Sequence, residues 1–165
     1  MQSADYWIEK LSLTPHPEGG YYREIYRAPE SVLKEALPER FEGSRPFSTS
    51  IFFLLKSGQV SRLHRLKSDE IWHFYEGCPV QIHLIHQDGR YSEIKLGRNS
   101  NADQVFQAVI PAGTWFGAEV LAAEGYALVG CTVAPGFNFA DFELGRRDQL
   151  LSRFPRLADQ IKKLT

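Results

Sequence analysis

This chain of 165 residues has few cysteines, a single methionine and no excess of either charge. Two cysteines, Cys78 and Cys131, cannot build a disulfide framework, and no CxxC pair offers a cysteine zinc site. Isolated among apolar neighbours, both read as buried free thiols. Lys and Arg number 19 against 20 Asp and Glu, a net charge of −1. That excludes a general phosphate-binding surface and argues against nucleic acid as a partner. The basic residues of "GRRDQLLSR" and "IKKL" read as a solvated helix face. No apolar run approaches a membrane span, and the first residues, "MQSADYWIEKLSL", have neither a basic leader nor an apolar segment. The expectation is no membrane and a cytoplasmic protein. Internal repeats and low-complexity segments are also missing.

Hydrophobic residues make up 43% of the chain and charged residues 24%, an ordinary balance for one globular domain over residues 1–165. Ser3 can cap a short first helix whose apolar side holds Trp7, Ile8 and Leu11. "TPHPEGG" stops it with two prolines and two glycines, and "YYREIYRA" follows as a strand. From Ser48 onward short β-rich runs succeed one another: "STSIFFLL", "VSRLHRL", "EIWHFYEG", "PVQIHLIH", "RYSEIKL", "QVFQAVI", "TWFGAEV" and "YALVGCTV". Asp88-Gly89 is a hairpin signal, and "PAG" makes a tight turn. Eight or nine short strands with turn chemistry between them predict an all-β sandwich or barrel. The tail, "LGRRDQLLSRF" and "PRLADQIKKLT", returns to helical spacing, with Pro155 at a first helical position. Two strands, "IFFLL" and "YALVGCTV", are apolar on both faces. Their outer face needs a cover, either the terminal helices or a second copy of the chain.

Chemistry concentrates in "GQVSRLHRLKSDEIWHFYEG", Gly58 to Gly77. Alternation along a strand puts Arg62, His64 and Leu66 on one face, and Glu70, Trp72 and Phe74 on one face of the next. Folded together by a turn at 67–69, the two strands set His64 opposite Glu70. A histidine–carboxylate pair in an aromatic-lined interior can bind a metal or move a proton.

The spacing of this stretch resembles the first motif of the cupin superfamily. Gly58, His64, Glu70 and Gly77 occupy its fixed positions, while Leu66 stands where a second histidine belongs. Pro111-Ala112-Gly113 resembles the second motif, with Phe116 in its histidine position. These two stretches place the motif-bearing core at about 48–133. Further stretches, "HPEGGYYRE", "LVGCTVAPGF" and "DFELGRR", are similar to one branch, the "cupin 5" group of unknown function. The resemblance implies a double-stranded β-helix, the jelly-roll barrel, with short N-terminal and C-terminal helices, and a homodimer.

Cupin metal sites use three histidines and a glutamate, so this chain keeps only His64 and Glu70 of the four. Affinity grows with the number of fixed ligands, and the expectation is no metal cofactor. The leading reading is a small-molecule pocket with metal-free acid–base chemistry, epimerase- or isomerase-like, on a sugar or sugar nucleotide. His64 is then the base, Glu70 sets its tautomer, and Arg62 holds a developing oxyanion. Trp72, Phe74, Trp115 and Phe116 form a stacking wall. Tyr75 and Tyr126 are candidate acids. Two alternatives stand beside it: a metal-dependent enzyme using His64 and Glu70, and a non-catalytic ligand-binding or storage-like protein. Likeness to the branch places Tyr22, Arg23 and Glu24 at the barrel mouth or a dimer contact. His16 and His86 are expected to face solvent. "VAPGFNFADFEL" reads as a strap over the pocket.

Overall fold

The computed structural model describes residues 2–165. A short helix, α1 (Ala4–Lys10), is capped as expected: the Ser3 hydroxyl accepts from the Tyr6 N–H at 3.1 Å. Fourteen strands follow among the described residues, more than the eight or nine expected. Several of the additions are two-residue bridges, too short to leave an alternating pattern. They are β1 (Thr14–Pro15), β2 (Tyr21–Arg27), β3 (Ser31–Val32), β4 (Arg45–Pro46), β5 (Thr49–Lys56), β6 (Val60–Leu66), β7 (Asp69–Gly77), β8 (Val80–Ile85), β9 (Tyr91–Leu96), β10 (Gln104–Val105), β11 (Gln107–Ile110), β12 (Trp115–Val120), β13 (Tyr126–Ala134) and β14 (Phe142–Leu144). The chain closes with α2 (Arg147–Arg153), a 3₁₀ turn started by Pro155, and α3 (Ala158–Lys163).

Two six-stranded sheets face each other, in the orders β1-β2-β5-β13-β7-β11 and β10-β9-β8-β12-β6-β14. Their inner faces make the core: Phe53, Trp72 and Val129 from one sheet, Ile82, Leu84 and Phe116 from the other. Each buried side chain of this size contributes about 1.5–3 kcal/mol. The outer face of the second sheet is covered by the tail helices, with Leu63, Ile85 and Trp115 against Leu150, Phe154 and Ile161. Helix α1 covers part of the first sheet's outer face, over Leu54 and Leu128. The all-β barrel with helical margins is therefore observed, and helices supply much of the outer cover.

One expectation is corrected. β6 and β7 are not paired neighbours; they lie in opposite sheets. The short link at Lys67–Ser68 turns a corner instead of a hairpin, so His64 and Glu70 approach across the interior of the barrel. Both cysteines are free, but only Cys131 is buried; Cys78 is half-buried. No helix among the described residues is long and apolar enough to cross a membrane.

Candidate functional site

His64 points inward from the middle of β6. Beside it the β6–β12 ladder slips: Phe116 pairs with His64, but Ala118 pairs with Ser61. Two residues of β6, Arg62 and Leu63, thus oppose Gly117 alone. This bulge reverses the alternation, so Ser61 shares the inward face with His64 and Arg62 does not. Arg62 is exposed, donating from Nε to the Glu18 carbonyl and from Nη2 to the Pro17 carbonyl. The placement of Arg62 on the face of His64 is corrected accordingly.

The bulge presents the backbone of Arg62 to two partners. Its N–H donates to the Glu18 carbonyl at 2.8 Å, tying the loop between β1 and β2 to β6. Its carbonyl lies 2.7 Å from His64 Nδ1. The loop approaches so closely because residue 19 is glycine: φ is +111°, and a Cβ there would collide with the Val60 carbonyl. Seated this way, the loop inserts Glu18 beside His64. Glu18 Oε2 is 3.0 Å from His64 Nε2 and 3.4 Å from His16 Nδ1, and Ser61 donates to Oε1 at 2.8 Å.

The proton count follows from these partners. A carbonyl only accepts, so His64 Nδ1 carries the hydrogen and neutral Nε2 is a lone pair. His16 Nδ1 is likewise an acceptor, because it takes the Glu18 N–H at 3.3 Å. Glu18 Oε2 therefore holds the proton that lies between it and His64. Burial favours this neutral form. It pushes His64 down to about 3, and it pushes Glu18 well above the usual carboxylate range with help from the Glu70 charge. His16 is lowered to about 4 by the same desolvation.

Glu70 points in from the opposite sheet, on the inward face it shares with Trp72 and Phe74. Burial raises its pKa to about 7, with the Cys131 thiol and the Trp72 indole pulling the other way. Its Oε2 has no hydrogen-bond partner of ordinary geometry.

Between the two walls lies a cavity of about 510 Å³, reached by His16, Glu18, His64 and Glu70. Leu66, Phe53 and Tyr22 line it too, and Phe137, Phe139 and Phe142 rim it. The strap carrying the rim is fastened by Asp141, fully engaged with the buried Arg45 at 2.6 and 2.7 Å. At the mouth Arg27 is held by both oxygens of Glu24, at 2.9 and 2.7 Å, and donates to the Phe137 carbonyl at 3.1 Å.

Of the residues singled out in the sequence, the cavity brings together His64, Glu70, Tyr22 and Glu24. Trp72, Phe74 and Phe116 are core behind it; the Phe116 ring lies 4.0 Å from that of His64. Trp115 is on the other side of its sheet, under the tail helices with Arg65 above it at 4.6 Å, and is no part of the wall. Arg23 is exposed and donates to the Leu11 carbonyl at 3.1 Å. Tyr75 and Tyr126 face outward, as do His73, against Thr132 and Gln107, and His83, between Tyr91 and Glu119. Glu18 and Ser61 went unmarked in the sequence, and His16 was expected in solvent. Far from facing solvent, His16 packs edge to face against Tyr22, centroids 4.5 Å apart, in the cavity lining. The signal was the likeness of "HPEGGYYRE" to the branch, which implies that the loop has a role.

The donors do not fit a cupin metal. Leu66 and Phe116 offer no lone pair, and both nitrogens of His64 are engaged. Among the described residues no group of three or more His, Cys, Asp and Glu is arranged to hold an ion.

Two facing sheets closed into a jelly-roll barrel are the cupin architecture. The family model described as the cupin superfamily (DUF985) matches residues 5–145, and the chain belongs to that family. It is similar to the solved protein SO0799 from Shewanella oneidensis, with 38% identity and a TM-score of 0.89 over 100% of this chain and 98% of that one. A hypothetical protein from Leishmania major superposes with a TM-score of 0.90 at 35% identity, over 99% of each chain. The uncharacterized protein YML079W of Saccharomyces cerevisiae is 29% identical over 143 residues, 81% of this chain and 71% of that protein.

Proposed function

We propose that the cavity binds a small carbonyl compound of the sugar or sugar-nucleotide class and moves a proton on it without a metal, as an isomerase or epimerase does. The observation that carries this reading is the Glu18–His64 couple, holding one shared proton on one wall, opposite Glu70, whose Oε2 has no partner, on the other. Glu70, raised to about 7, is matched to accept a proton at neutral pH. It takes the hydrogen from the carbon beside the carbonyl, and Glu18 gives its proton to the carbonyl oxygen. An enediol results. Return of one proton from Glu70 to carbon and of one from oxygen to Glu18 completes the shift, and no atom is lost. Ser61 steadies Glu18 while it is ionised. These roles replace the simpler expectation in which His64 is the base and Glu70 its orienting partner.

The test is exchange of carbon-bound hydrogen with solvent. Aldoses, ketoses and sugar nucleotides are incubated with the protein in deuterated water and followed by proton NMR. Loss of the signal beside the carbonyl, absent with Glu70→Gln, supports the reading. If no compound exchanges although one binds, the pocket is a binding site only.

We propose also that two copies pair through the first sheet. Helix α1 leaves Tyr75 and Val109 of its outer face exposed, with Phe106 beside them. A second copy covers such a face. A monomeric mass in sedimentation equilibrium at micromolar protein excludes it.

A further inference from the structure

The charge of the ligand can be read from what its cavity leaves unpaired. Glu70 is 6% exposed and lines the cavity, and its Oε2, closed off from solvent, has no hydrogen-bond partner. The other charged groups of the lining are engaged. Glu18 is bound by Ser61 and shares its proton with His64. Arg27, the one Arg or Lys among the described residues of the lining, is held by both oxygens of Glu24. A phosphate entering this space meets a buried carboxyl and no free positive group, a costly encounter at low dielectric. A hydroxyl supplies the hydrogen that Glu70 lacks without bringing a charge. At the rim Phe137, Phe139 and Phe142 pack edge to face, with centroids 5.0–6.3 Å apart. Such a surface takes the C–H face of a ring.

We infer that the ligand is an uncharged, hydroxylated ring without phosphate, its hydroxyl on Glu70 and its C–H face on the phenylalanine rim. This rests on the cavity being the ligand site and narrows the class proposed above to the free sugar, excluding the nucleotide.

Two probes of one ring size test it, 1,2-cyclohexanediol and cyclohexyl phosphate, each titrated into the protein at pH 7.5 and followed by ligand-observed NMR. The diol is expected to bind at least about tenfold more tightly than the phosphate, the size of an unscreened like-charge encounter. Glu70→Gln removes the repelling charge and is expected to shrink that ratio. Phe139→Ala, at an exposed position that does not hold the fold, is expected to weaken the diol severalfold. Equal or tighter binding of the phosphate overturns the inference, and so does failure of the diol to bind. Neither probe has a carbonyl, so the result is independent of catalysis. Charge selection without exchange in deuterated water retires the proton-transfer reading alone.

Discussion

His64 Nε2 stands 3.0 Å from Glu18 Oε2, while His64 Nδ1 is 2.7 Å from the Arg62 carbonyl. These contacts fix one proton on each side of the imidazole and make Glu18, not Glu70, the carboxyl partner of the motif histidine. Glu70 Oε2 has no such partner.

The seating of Glu18 depends on Gly19. A Cβ at that position meets the Val60 carbonyl, so Gly19→Ala must push the loop away from β6. Lifting the loop removes Glu18 and His16 from above His64 and lets water in, so the pKa of His64, held down by burial, is expected to climb from about 3 toward its ordinary 6.5. An NMR titration of the imidazole reads this. An unmoved His64 pKa in a folded variant contradicts the role given to the loop.

Four buried groups of the cavity act on stability in opposite directions. His16 and His64, lowered to about 4 and about 3, bind no extra proton in the native state where unfolded histidines of pKa 6.5 do. Their contribution is full above pH 6.5 and is lost as pH falls. Glu70, raised to about 7, and Glu18, raised above 4.5, stay protonated where unfolded glutamates do not. Their contribution is full below pH 4.5 and is lost as pH rises through the folded values. Between 4.5 and 6.5 the histidines and the glutamates therefore pull stability in opposite directions with pH. Glu70→Gln removes one of the two carboxyls from that balance. Relative to the parent, its stability is expected to rise with pH across this window, by up to about 1.4 kcal/mol per unit. Urea unfolding at pH 4.5, 5.5 and 6.5 measures the slope; an unchanged difference between variant and parent refutes it.

The strap over the cavity hangs on one buried ion pair. Arg45 and Asp141 are 3% and 5% exposed and joined by two hydrogen bonds. Arg45→Ala leaves Asp141 a buried charge without its main partner and is expected to cost about 3–5 kcal/mol. Denaturant unfolding checks this, and a loss below 1 kcal/mol contradicts the anchoring.

Trp115 serves the fold and not the cavity. Trp115→Ala is expected to cost about 3–5 kcal/mol by emptying the space under the tail helices, with cyclohexanediol affinity unchanged. Stability is read by urea unfolding and affinity by NMR. A weakened diol with intact stability restores Trp115 to the ligand wall.

Much of the fold was legible because its signals are local. Strand runs, the Asp88-Gly89 turn and the Ser3 cap each act within a few residues. The inward face of Glu70, Trp72 and Phe74 followed from simple alternation, since β7 is regular over that stretch. Alternation failed at Arg62, where the bulge against Gly117 shifts parity by one, and nothing in "VSRLHRL" announces a bulge. The corner at Lys67–Ser68 was read as a hairpin because short links to a partner strand and to the opposite sheet look alike in sequence. Glu18 was missed for a different reason. It sits in a Pro/Gly loop, whose side chains have no period, and only the tertiary contact with β6 turns it inward.

The most direct measurement is the protonation state of His64 by long-range nitrogen-15 NMR on uniformly labelled protein at pH 7. The expected spectrum is a neutral imidazole with its hydrogen on Nδ1 and an unprotonated Nε2, becoming charged only near pH 3. A hydrogen on Nε2, or an imidazolium at neutral pH, contradicts the Glu18–His64 couple and the proton-transfer chemistry built on it.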